Sequence, residues 1–475
     1  MPAMLRLATT LLATSLAAGP TTTPPADESS ANAAAAGLDP APWVAEPLGL
    51  QMHVPAGAVI TAQVVQGRVS YLISGTRGGS AWSMRIGSVT STLAQASASA
   101  LVDEQFRAVE ATGRPYRILA NEPRRYGDVD GQLLYLEQTL ETEAKVSNGW
   151  LILPTSPRTF LVFFIVTGAD HFARLRPVFD ASFATIKLRS PDEMIERRRA
   201  RLAQGEAIIK TFSPDRLRSV LGQLMWYRIY QPAASGKRDD DIELGYLSMQ
   251  CSEAMRGAVD PQRSPDTYST MESQPGLMVL IEARGVLDAQ AKRYLDVQGR
   301  YWMAWDRSEE TWSNLQTHRD GEVSRTVAET GIRTAPEPRF PHGTLTVIHS
   351  SKERFTRDPK EWSIPNEAYL SQPEVFMLGS LLPRDGSLIG EMAFYYYDSR
   401  LQRLPQRVDR WEPAEDGSGN WVLTTQPALD AGSITQTFDS AGHRIKRIDA
   451  NATVTQRIDP AELRRLWLAK GLLAP

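Results

Sequence analysis

The sequence predicts an α+β protein with two folded parts. In residues 42–188, segments with strand-like alternation are interrupted by segments whose apolar residues recur at helical spacing. In residues 213–475, short strand-like segments follow one another with turn residues between them, which is typical of antiparallel sheets and barrels. The hydrophobic fraction of 42% and the charged fraction of 23% are those of an ordinary globular protein. We therefore expect an antiparallel sheet flanked by helices, followed by a large antiparallel β-sheet or open-barrel domain with a few helices.

The start of the chain has the pattern of an export signal followed by a tether. Arg6 supplies a charged start, and residues 7–18 are apolar or small and end in the small residues that a signal peptidase requires. We predict a signal peptide at 1–18 and a disordered Thr/Pro/Ala-rich linker at 19–41, which has too few apolar residues to bury. The alternative is a disordered leader without a targeting role. No cysteine comes directly after the cleavage site, so we do not expect a lipid anchor.

Cysteine content, charge and hydropathy limit the compartments and the classes of partner that we expect. Cys251 is the single cysteine, so no intrachain disulfide can form, and this scarcity fits an oxidising compartment. The net charge of −3 provides no electrostatic basis for binding nucleic acid. No later segment is apolar for long enough to span a membrane. We expect an exported protein, periplasmic or extracellular, without a transmembrane segment after signal cleavage.

Residues 42–188 contain strand patterns separated by turn residues, and helix patterns between them. The second helix pattern follows Asp170, which we expect to cap it, and Pro177 should kink this helix or split it in two. Residues 159–166 are almost all apolar, which predicts a central strand covered on both faces. The strand patterns lie at 48–55, 69–73, 82–86, 131–137, 149–153 and 159–166, and the first helix pattern at 91–111.

This order of elements resembles the PsbP-like family, the α/β/α sandwich of the photosystem II extrinsic P subunit and its bacterial relatives. The residues that carry the resemblance are Leu50–Pro55 near the start, and Phe160–Val166 followed by Phe179–Ile186 at the end. The resemblance implies an α/β/α sandwich for residues 42–188. It also implies a binding or assembly role without catalysis, and it does not identify a partner.

A charged helix is predicted between the two parts. Ser190, Pro191 and Glu193 combine a cap, a proline at the first position and a glutamate that reaches back, so we place a helical linker at 190–212. The run Arg197–Arg199 follows acidic residues in this helix and is interpreted as a solvated face. A shorter helix should start at Ser213 and Pro214.

Residues 213–475 are predicted to be mostly β-structure. A helical segment at 365–382 interrupts the strands, and a capping box at Asp459–Glu462 opens a last helix that Gly471 ends. Such a meander loosely resembles the periplasmic lipoprotein-carrier fold, a half-barrel that holds acyl chains; the alternative is a flat sheet with a filled core. The strand patterns lie at 225–230, 244–250, 276–285, 293–306, 310–317, 323–334, 344–349, 391–397, 407–412, 421–425, 434–438 and 444–448.

No motif for a metal site, a cofactor or a catalytic nucleophile is present, so we predict no cofactor and no metal. The acidic run Asp239–Glu243 lacks the glycine and the distal glutamate of a calcium loop and is interpreted as a solvated hairpin tip. His342 and His349 have an odd separation, which would place them on opposite faces of a strand. A triad or a carboxylate pair assembled across the fold would leave no local signature. Whether the protein is an enzyme therefore stays open, although the motifs favour a protein that is not.

Aromatic residues give the remaining indication of a ligand site. Two interpretations are open. The aromatic residues could serve ordinary sheet packing, because they favour strands, or they could form a cavity lining or a glycan platform. We predict a non-catalytic envelope module that binds a protein, a wall component or a lipid; the alternative is a secreted hydrolase with a site spread across the β-rich domain. The candidate ligand-lining residues are Trp302, Trp305, Trp312, Tyr395 and Tyr397.

Overall fold

The computed structural model divides the chain into two units, Met1–Arg197 and Arg198–Pro475. The predicted signal peptide and the tether up to residue 35 lie outside the described residues. The structure describes residues 36–65, 68–77, 79–92, 96–126, 129–222, 224–321, 323–351, 359–428 and 431–472.

The N-terminal unit contains a seven-stranded antiparallel sheet in the order β3-β4-β5-β9-β8-β7-β6, and a three-stranded sheet in the order β1-β2-β10. The strand bounds are β1 Trp43–Ala45, β2 Leu50–Met52, β3 Val59–Val65, β4 Arg68–Arg77, β5 Ser80–Thr90, β6 Tyr116–Tyr126, β7 Val129–Thr139, β8 Lys145–Ser156, β9 Thr159–Gly168 and β10 Lys187–Leu188.

Two helices cover opposite faces of the seven-stranded sheet. Helix α1 (Ala98–Glu110) packs against one face through Leu101 and Val109, and α2 (Ala169–Ala184) packs against the other through Phe179. Successive residues of a strand point to opposite faces, so neighbours in β7 and β9 enter different cores. The prediction of a central strand covered on both faces is confirmed by β9, which lies between β5 and β8.

One local prediction about α2 is wrong, and another is excluded in part. The helix runs unbroken through Pro177, so the proline does not split it, and the kink stays a prediction. Its N-cap is Gly168, which provides no side chain, while Asp170 lies in the first turn. An acidic residue there is still favourable because the N-terminus of a helix carries partial positive charge. The edge strands β3 and β6 were not predicted; β6 contains Pro123, which a sheet tolerates at its edge.

The predicted charged helix is present as α3 (Pro191–Ile209), and the boundary between the two units falls within it. The side chain of Ser190 accepts from the Glu193 backbone N–H at 3.2 Å, and Glu193 accepts from the Ser190 backbone N–H at 2.9 Å. This reciprocal pair is the predicted capping box. The shorter helix α4 (Pro214–Arg218) follows.

The C-terminal unit contains one fourteen-stranded sheet, which confirms the predicted large antiparallel sheet. One meander runs from β11 to β18, a second runs from β19 to β24, and β11 pairs with β24 to join them. The strand bounds are β11 Leu224–Gln231, β12 Ile242–Met255, β13 Pro275–Asp288, β14 Arg293–Ala304, β15 Glu310–Asp320, β16 Val323–Arg333, β17 Thr344–Ser351, β18 Lys360–Ser363, β19 Gly390–Tyr395, β20 Gln406–Pro413, β21 Trp421–Gln426, β22 Ile434–Phe438, β23 Arg444–Ile448 and β24 Val454–Arg457.

The sheet curves around helix α5 (Gln372–Leu381). This helix contacts β13 and β14 from one meander and β22 from the other, although these strands are far apart in the sheet order. The approach is close, because a Cβ added to Gly379 would lie 2.1 Å from the ring of Phe438. Large side chains such as Trp312 and Trp411 join α5 in one core. The sheet is therefore curved, as in a half-barrel, and its concave side is packed with protein side chains.

A last helix, α6 (Pro460–Ala469), covers the outer side of β11 and β12. Trp467 is fully buried and packs edge to face against Tyr246 at 5.0 Å. Asp459 accepts from two backbone N–H groups of the first turn, and Gly471 takes a positive φ just after the helix. Across the described parts of both units, no helix is long and apolar enough to cross a membrane.

Candidate ligand-binding cleft

The pairing of β11 with β24 creates a seam between the two meanders. Tyr227 lies opposite Arg457, Arg228 opposite Gln456, and Tyr230 opposite Val454. Residues more than two hundred positions apart thus become neighbours. A cavity of about 400 Å³ lies at this seam. We call it the seam cleft; it is lined by Arg228, Tyr230, Pro232, Ala233, Gly236, Arg238, Asp241, Gln456, Arg457, Ile458 and Glu462.

Arg228 forms the floor of the seam cleft and is held by two carboxylates. Its Nε donates to both oxygens of Glu243 at 3.0 Å, and its Nη2 donates to Glu243 at 2.5 Å and lies 3.0 Å from Asp241. The residue is only 3% exposed. Burial opposes the charged form, but the hydrogen bonds and charges of the two carboxylates outweigh it and raise the pKa of Arg228 above its ordinary value. The guanidinium is fixed in position and stays charged.

Two further contacts hold this arrangement in place. The Cζ atom of Arg228 lies 4.0 Å from the ring centroid of Tyr230, so the cation stacks on an aromatic face. Lys470, just after α6, donates to Glu243 at 3.1 Å and to the backbone oxygen of Asp241 at 2.6 Å. We call Arg228, Tyr230, Asp241, Glu243 and Lys470 the cleft cluster.

The rim of the seam cleft is polar and exposed. The hydroxyl of Tyr230 donates to Gln456 at 2.9 Å. Arg238 pairs with Glu462 of α6 at 2.6 Å, with both side chains at least 40% exposed. Arg457 borders the cleft but lies opposite Tyr227 in the β11–β24 pair, so its side chain points to the other face of the sheet, where it approaches Asp439 at 3.9 Å. The rim can therefore rearrange around a ligand at low cost, while the floor cannot.

The structure corrects the interpretation of the acidic run at 239–243 for two of its residues, whereas Asp239 and Asp240 are exposed between β11 and β12 as predicted. Asp241 and Glu243 are not at a solvated hairpin tip: their side chains are 9% and 1% exposed, respectively, and both contact Arg228. Glu243 lies opposite Tyr230 in the β11–β12 pair, so its side chain is on the same face of the sheet as Arg228 and Tyr230. Among the described residues, no group of three or more His, Cys, Asp and Glu side chains is arranged to hold a metal ion.

The aromatic candidates from the sequence lie in three different places. Trp312 and Tyr397 meet in the main core, with ring centroids 5.6 Å apart. Trp302 faces the other side of β14, where it is fully buried and donates to the backbone oxygen of Ala254 at 3.1 Å. Trp305 and Tyr395 are partly buried at the border of the main core. The structure brings only Trp312 and Tyr397 of the five candidates into direct ring contact.

Trp312 and Tyr397 also share a buried acceptor. The indole of Trp312 donates to Glu329 at 3.0 Å, and the hydroxyl of Tyr397 donates to the other carboxylate oxygen at 3.3 Å. Ser399 donates to that second oxygen as well, and His349 lies 3.7 Å from it. Burial, followed by the charge of Glu329, raises the pKa of Tyr397. The tyrosine therefore acts here as a hydrogen-bond donor.

A second buried polar group lies beside α5. Glu310 is fully buried and accepts from the hydroxyl of Tyr369 at 2.7 Å and from the Gln372 backbone N–H at 2.7 Å. Burial raises the pKa of Glu310 to about 7, against the opposing influence of Arg333 and of these hydrogen bonds. We call Glu310, Arg333, Tyr369, Gln372 and Glu374 the interior cluster.

Cys251 behaves as a core residue. It is fully buried, and its Sγ lies 3.3 Å from the Sδ of Met377 on α5. Burial raises the pKa of the thiol to about 12. A thiol with so high a pKa is not ionised near neutral pH and is a poor nucleophile.

Comparison with known proteins finds only distant structural neighbours of this chain. No protein-family model matches it, and no curated protein matches it. Solved structures that resemble it include cyanobacterial PsbP from Synechocystis sp. PCC 6803, with 12% identity over 32% of this chain and 94% of that chain and a TM-score of 0.26. A beta-barrel-like protein of a domain of unknown function (DUF1849) from Brucella abortus has 12% identity over 50% of this chain and 95% of that chain, with a TM-score of 0.30.

A protein of unknown function from Pseudomonas aeruginosa is a third neighbour. It has 13% identity over 29% of this chain and 91% of that chain, with a TM-score of 0.24. All three TM-scores are low, so these likenesses establish neither the fold nor the function of this chain.

Proposed function

We propose that this protein is an exported, non-catalytic binding or assembly module of the cell envelope, and that the seam cleft is its ligand site. The observation that carries the proposal is Arg228, a buried guanidinium held by Glu243 and Asp241 at the floor of a cavity. Taking a guanidinium out of water costs free energy that these partners offset. A polar group held rigidly in a concave site is what selective ligand binding requires.

The N-terminal unit supports the same class of function. We propose that it is a PsbP-like α/β/α sandwich, and the helices α1 and α2 on opposite faces of its antiparallel sheet support this proposal. This is the architecture that the resemblance of Leu50–Pro55, Phe160–Val166 and Phe179–Ile186 implies. Members of that family act mostly as binding or assembly modules, and we propose such a role here.

The character of the seam cleft narrows the choice among the expected partners. Arginines and carboxylates line it, and the concave side of the large sheet is filled by α5 and its neighbours. An acyl chain would have to displace large side chains from that core. Losing the packing of a single Phe or Trp costs about 3–5 kcal/mol of stability. We therefore propose a polar group of a wall component or of an envelope protein as the ligand, in preference to a lipid tail.

Export is tested by locating the protein in its own cell. The full chain and a variant without residues 1–18 are expressed with the same C-terminal tag, and cell fractions are compared by immunoblot. We expect the full chain outside the cytoplasm and the shortened chain inside it. Equal retention of both in the cytoplasm would remove the envelope from the proposal.

Binding is tested by native mass spectrometry of protein purified gently from its envelope. We expect a bound mass on the wild type that Arg238→Gln loses, because Arg238 lines the cleft and its side chain is half exposed, paired with the exposed Glu462. Arg465→Gln is the matched control, since Arg465 is exposed on α6 and does not line the cleft. A bound mass that both variants retain would exclude the seam cleft as its site.

A hydrolase with a site spread across the C-terminal unit is the alternative, and the group around Glu329 favours it. Ser399 donates to Glu329, and His349 lies within 3.7 Å of the same carboxylate. The order differs from a nucleophile–histidine–acid triad, because the serine contacts the carboxylate directly. Hydrolysis of chromogenic ester, amide and glycoside substrates that Glu329→Gln and His349→Ala each abolish would favour the hydrolase. Absence of turnover in the wild type would favour the binding module.

A further inference from the structure

The seam cleft has a floor of strand residues and two walls. The floor is formed by Arg228 and Tyr230 of β11 and by Gln456 of β24, which lie on the same face of the sheet. One wall is the connection between β11 and β12, residues 232–241, and the other is the start of α6, where Glu462 lines the cavity. Its volume of about 400 Å³ lies at the lower end of the range for small-ligand pockets, about 300–1,000 Å³.

On this face of the sheet, the charges that line the seam cleft are all paired. Arg228 and Asp241 are 3.0 Å apart, and Arg238 and Glu462 are 2.6 Å apart. The other two charges of the cleft cluster also pair with each other, at 3.1 Å. Positive and negative charges therefore balance. A charged ligand group would leave water without gaining a counter-ion, and it would meet side chains of its own sign.

The lining nevertheless offers hydrogen-bonding atoms to a ligand. The Nε and Nη2 atoms of Arg228 are taken by carboxylates, whereas its Nη1 has no partner among the described residues. Gln456 accepts from Tyr230 through Oε1, and within the described part of the chain its Nε2 donates to no residue. Glu462 accepts from Arg238 through Oε1, which leaves Oε2 as an acceptor. Donors and an acceptor are thus present without spare charge.

A hydroxyl group fits such a site, because it both donates and accepts a hydrogen bond without carrying charge. The lining also provides apolar atoms, from Pro232, Ala233, Ile458 and the ring of Tyr230. A sugar ring matches both properties, since hydroxyls project from its edge and C–H groups from its faces. We propose that the seam cleft binds an uncharged sugar unit of its ligand, with Arg228 Nη1, Gln456 and Glu462 as polar contacts. This inference rests on the proposed function, because it names the ligand chemistry of the same site.

An uncharged peptide is the nearest alternative, and the topology of the sheet disfavours it. An extended peptide is commonly recognised by adding a strand to a free sheet edge. At the seam, β11 lies between β12 and β24, and β24 lies between β11 and β23, so neither strand offers a free edge. A peptide would have to bind here through its amides without a strand partner, whereas a sugar needs none.

The test compares glycosides that differ in charge, by saturation-transfer difference NMR with the full-length protein at about pH 6, where an amine is protonated. The uncharged probes are the methyl glycosides of glucose, galactose, mannose and N-acetylglucosamine. We expect clear signals from at least one of them. For that glycoside, the derivatives with a carboxylate or an ammonium in place of one hydroxyl should give signals at least about fivefold weaker.

Two variants test the balance of charge. Arg238→Gln leaves Glu462 unpaired, so it should weaken the uncharged probe and raise the signal of the ammonium derivative relative to it by about twofold. Glu462→Gln leaves Arg238 unpaired and should favour the carboxylate derivative instead. Both side chains are at least 40% exposed, so neither change is expected to prevent folding. The exposed control Arg465→Gln should leave all signals unchanged.

Several outcomes would overturn the sugar. A charged derivative that binds the wild type more strongly than its uncharged glycoside would contradict the balance of charge. Signals from N-acetylalanine amide that Arg238→Gln removes, with none from any glycoside, would assign the cleft to an amide. Signals from no probe, with a natural ligand still bound in native mass spectra of the wild type and lost from Arg238→Gln, would leave the proposed function standing and refute the sugar. If the wild type carries no bound mass either, the proposed function fails together with the sugar.

Discussion

Arg228 in the cleft cluster and Glu310 in the interior cluster are both almost removed from water, at 3% and 0% exposure. Arg228 contacts two carboxylates directly, and its pKa stays above the ordinary value. Glu310 accepts hydrogen bonds from uncharged groups only, the Tyr369 hydroxyl and the Gln372 backbone, and its pKa rises to about 7. Arg228 is in direct contact with opposite charges and keeps its ionised form, whereas Glu310 is more deeply buried and has no ion-pair partner in direct contact among the described residues.

The two clusters also show that a rigidly held group need not stabilise the folded state. Each cluster is fixed by several hydrogen bonds, but ionised Glu310 opposes folding whereas ionised Arg228 is compensated. The interior cluster is enclosed by α5 and the large sheet, so its donors and acceptors serve the protein itself. The cleft cluster lies beside a cavity, so its remaining donor is open to a ligand. Four substitutions test whether this distinction holds.

The largest effect is expected from Glu243→Ala. It removes the carboxylate that accepts three hydrogen bonds from Arg228 and one from Lys470, and it leaves a buried guanidinium with Asp241 alone. Breaking a buried ion pair in this way costs about 3–5 kcal/mol of unfolding free energy. Scanning calorimetry should show a lower midpoint for the transition of the C-terminal unit.

The control for this substitution is Glu462→Ala, which breaks the exposed pair with Arg238. Exposed pairs contribute about 0–1 kcal/mol, so the midpoint should barely move. Similar losses in the two variants would contradict the assignment of Glu243 as the partner that compensates Arg228.

The next effect concerns pH and is expected from Glu310→Gln. The folded pKa is about 7 and the ordinary value is 4.5, so between these values the folded state holds a proton that the unfolded state has released. The stability contributed by this group is complete below pH 4.5 and is lost as pH rises through 7, by about 3 kcal/mol at 1.4 kcal/mol per unit. Glutamine cannot ionise, and it can accept from Gln372 while donating to Tyr369.

The variant should therefore match the wild type near pH 4.5 and exceed its stability above pH 7. Denaturation midpoints in urea measured at half-unit steps between pH 4.5 and 8 give the difference directly. A difference that does not change with pH would mean that Glu310 is ionised in the folded protein throughout this range.

The sequence predicts most strands of the C-terminal unit, but it does not predict the seam cleft. The patterns at 434–438 and 444–448 coincide with β22 and β23, because alternating residues between turns specify a half-buried strand. β24 was missed, since Val454–Arg457 is only four residues long and contains three polar side chains. That omission hid the seam, because the neighbours of Arg228 on that side come from β24.

The candidate aromatic residues are dispersed in the fold for a related reason. Aromatic residues are visible in a sequence, but the face that each one occupies depends on strand register, and a shift of one residue exchanges the faces. Trp302 and Trp312 consequently lie on opposite sides of the sheet. Ion pairs such as Arg228 with Glu243 depend on which strands pair, and a run of acidic residues beside a turn gives no indication of that partner.

A smaller effect is expected from Tyr369→Phe in the interior cluster. The substitution removes the hydroxyl that donates to Glu310 at 2.7 Å and leaves a buried acceptor with one partner fewer. The cost is about 1–3 kcal/mol and should be greater at pH 8, where the carboxyl of the wild type is ionised, than at pH 5. Because the lost hydrogen bond favours the ionised form, the pKa of Glu310 should also rise. An equal loss at both pH values would mean that the hydroxyl contributes through packing alone.

The smallest effect is expected from Tyr230→Phe, the matching change in the cleft cluster. The ring stays beneath Arg228, so the stacking at 4.0 Å is retained, and only the hydrogen bond to Gln456 is lost. Gln456 is exposed and can bond to water instead, so the unfolding free energy should fall by no more than about 1 kcal/mol, without dependence on pH between 5 and 8. Urea midpoints measured side by side for this variant and for Tyr369→Phe compare the stability that each hydroxyl contributes. A larger loss at Tyr230 than at Tyr369 would mean that the rim of the seam cleft is as tightly determined as the interior, and that a ligand would have to fit it without rearrangement.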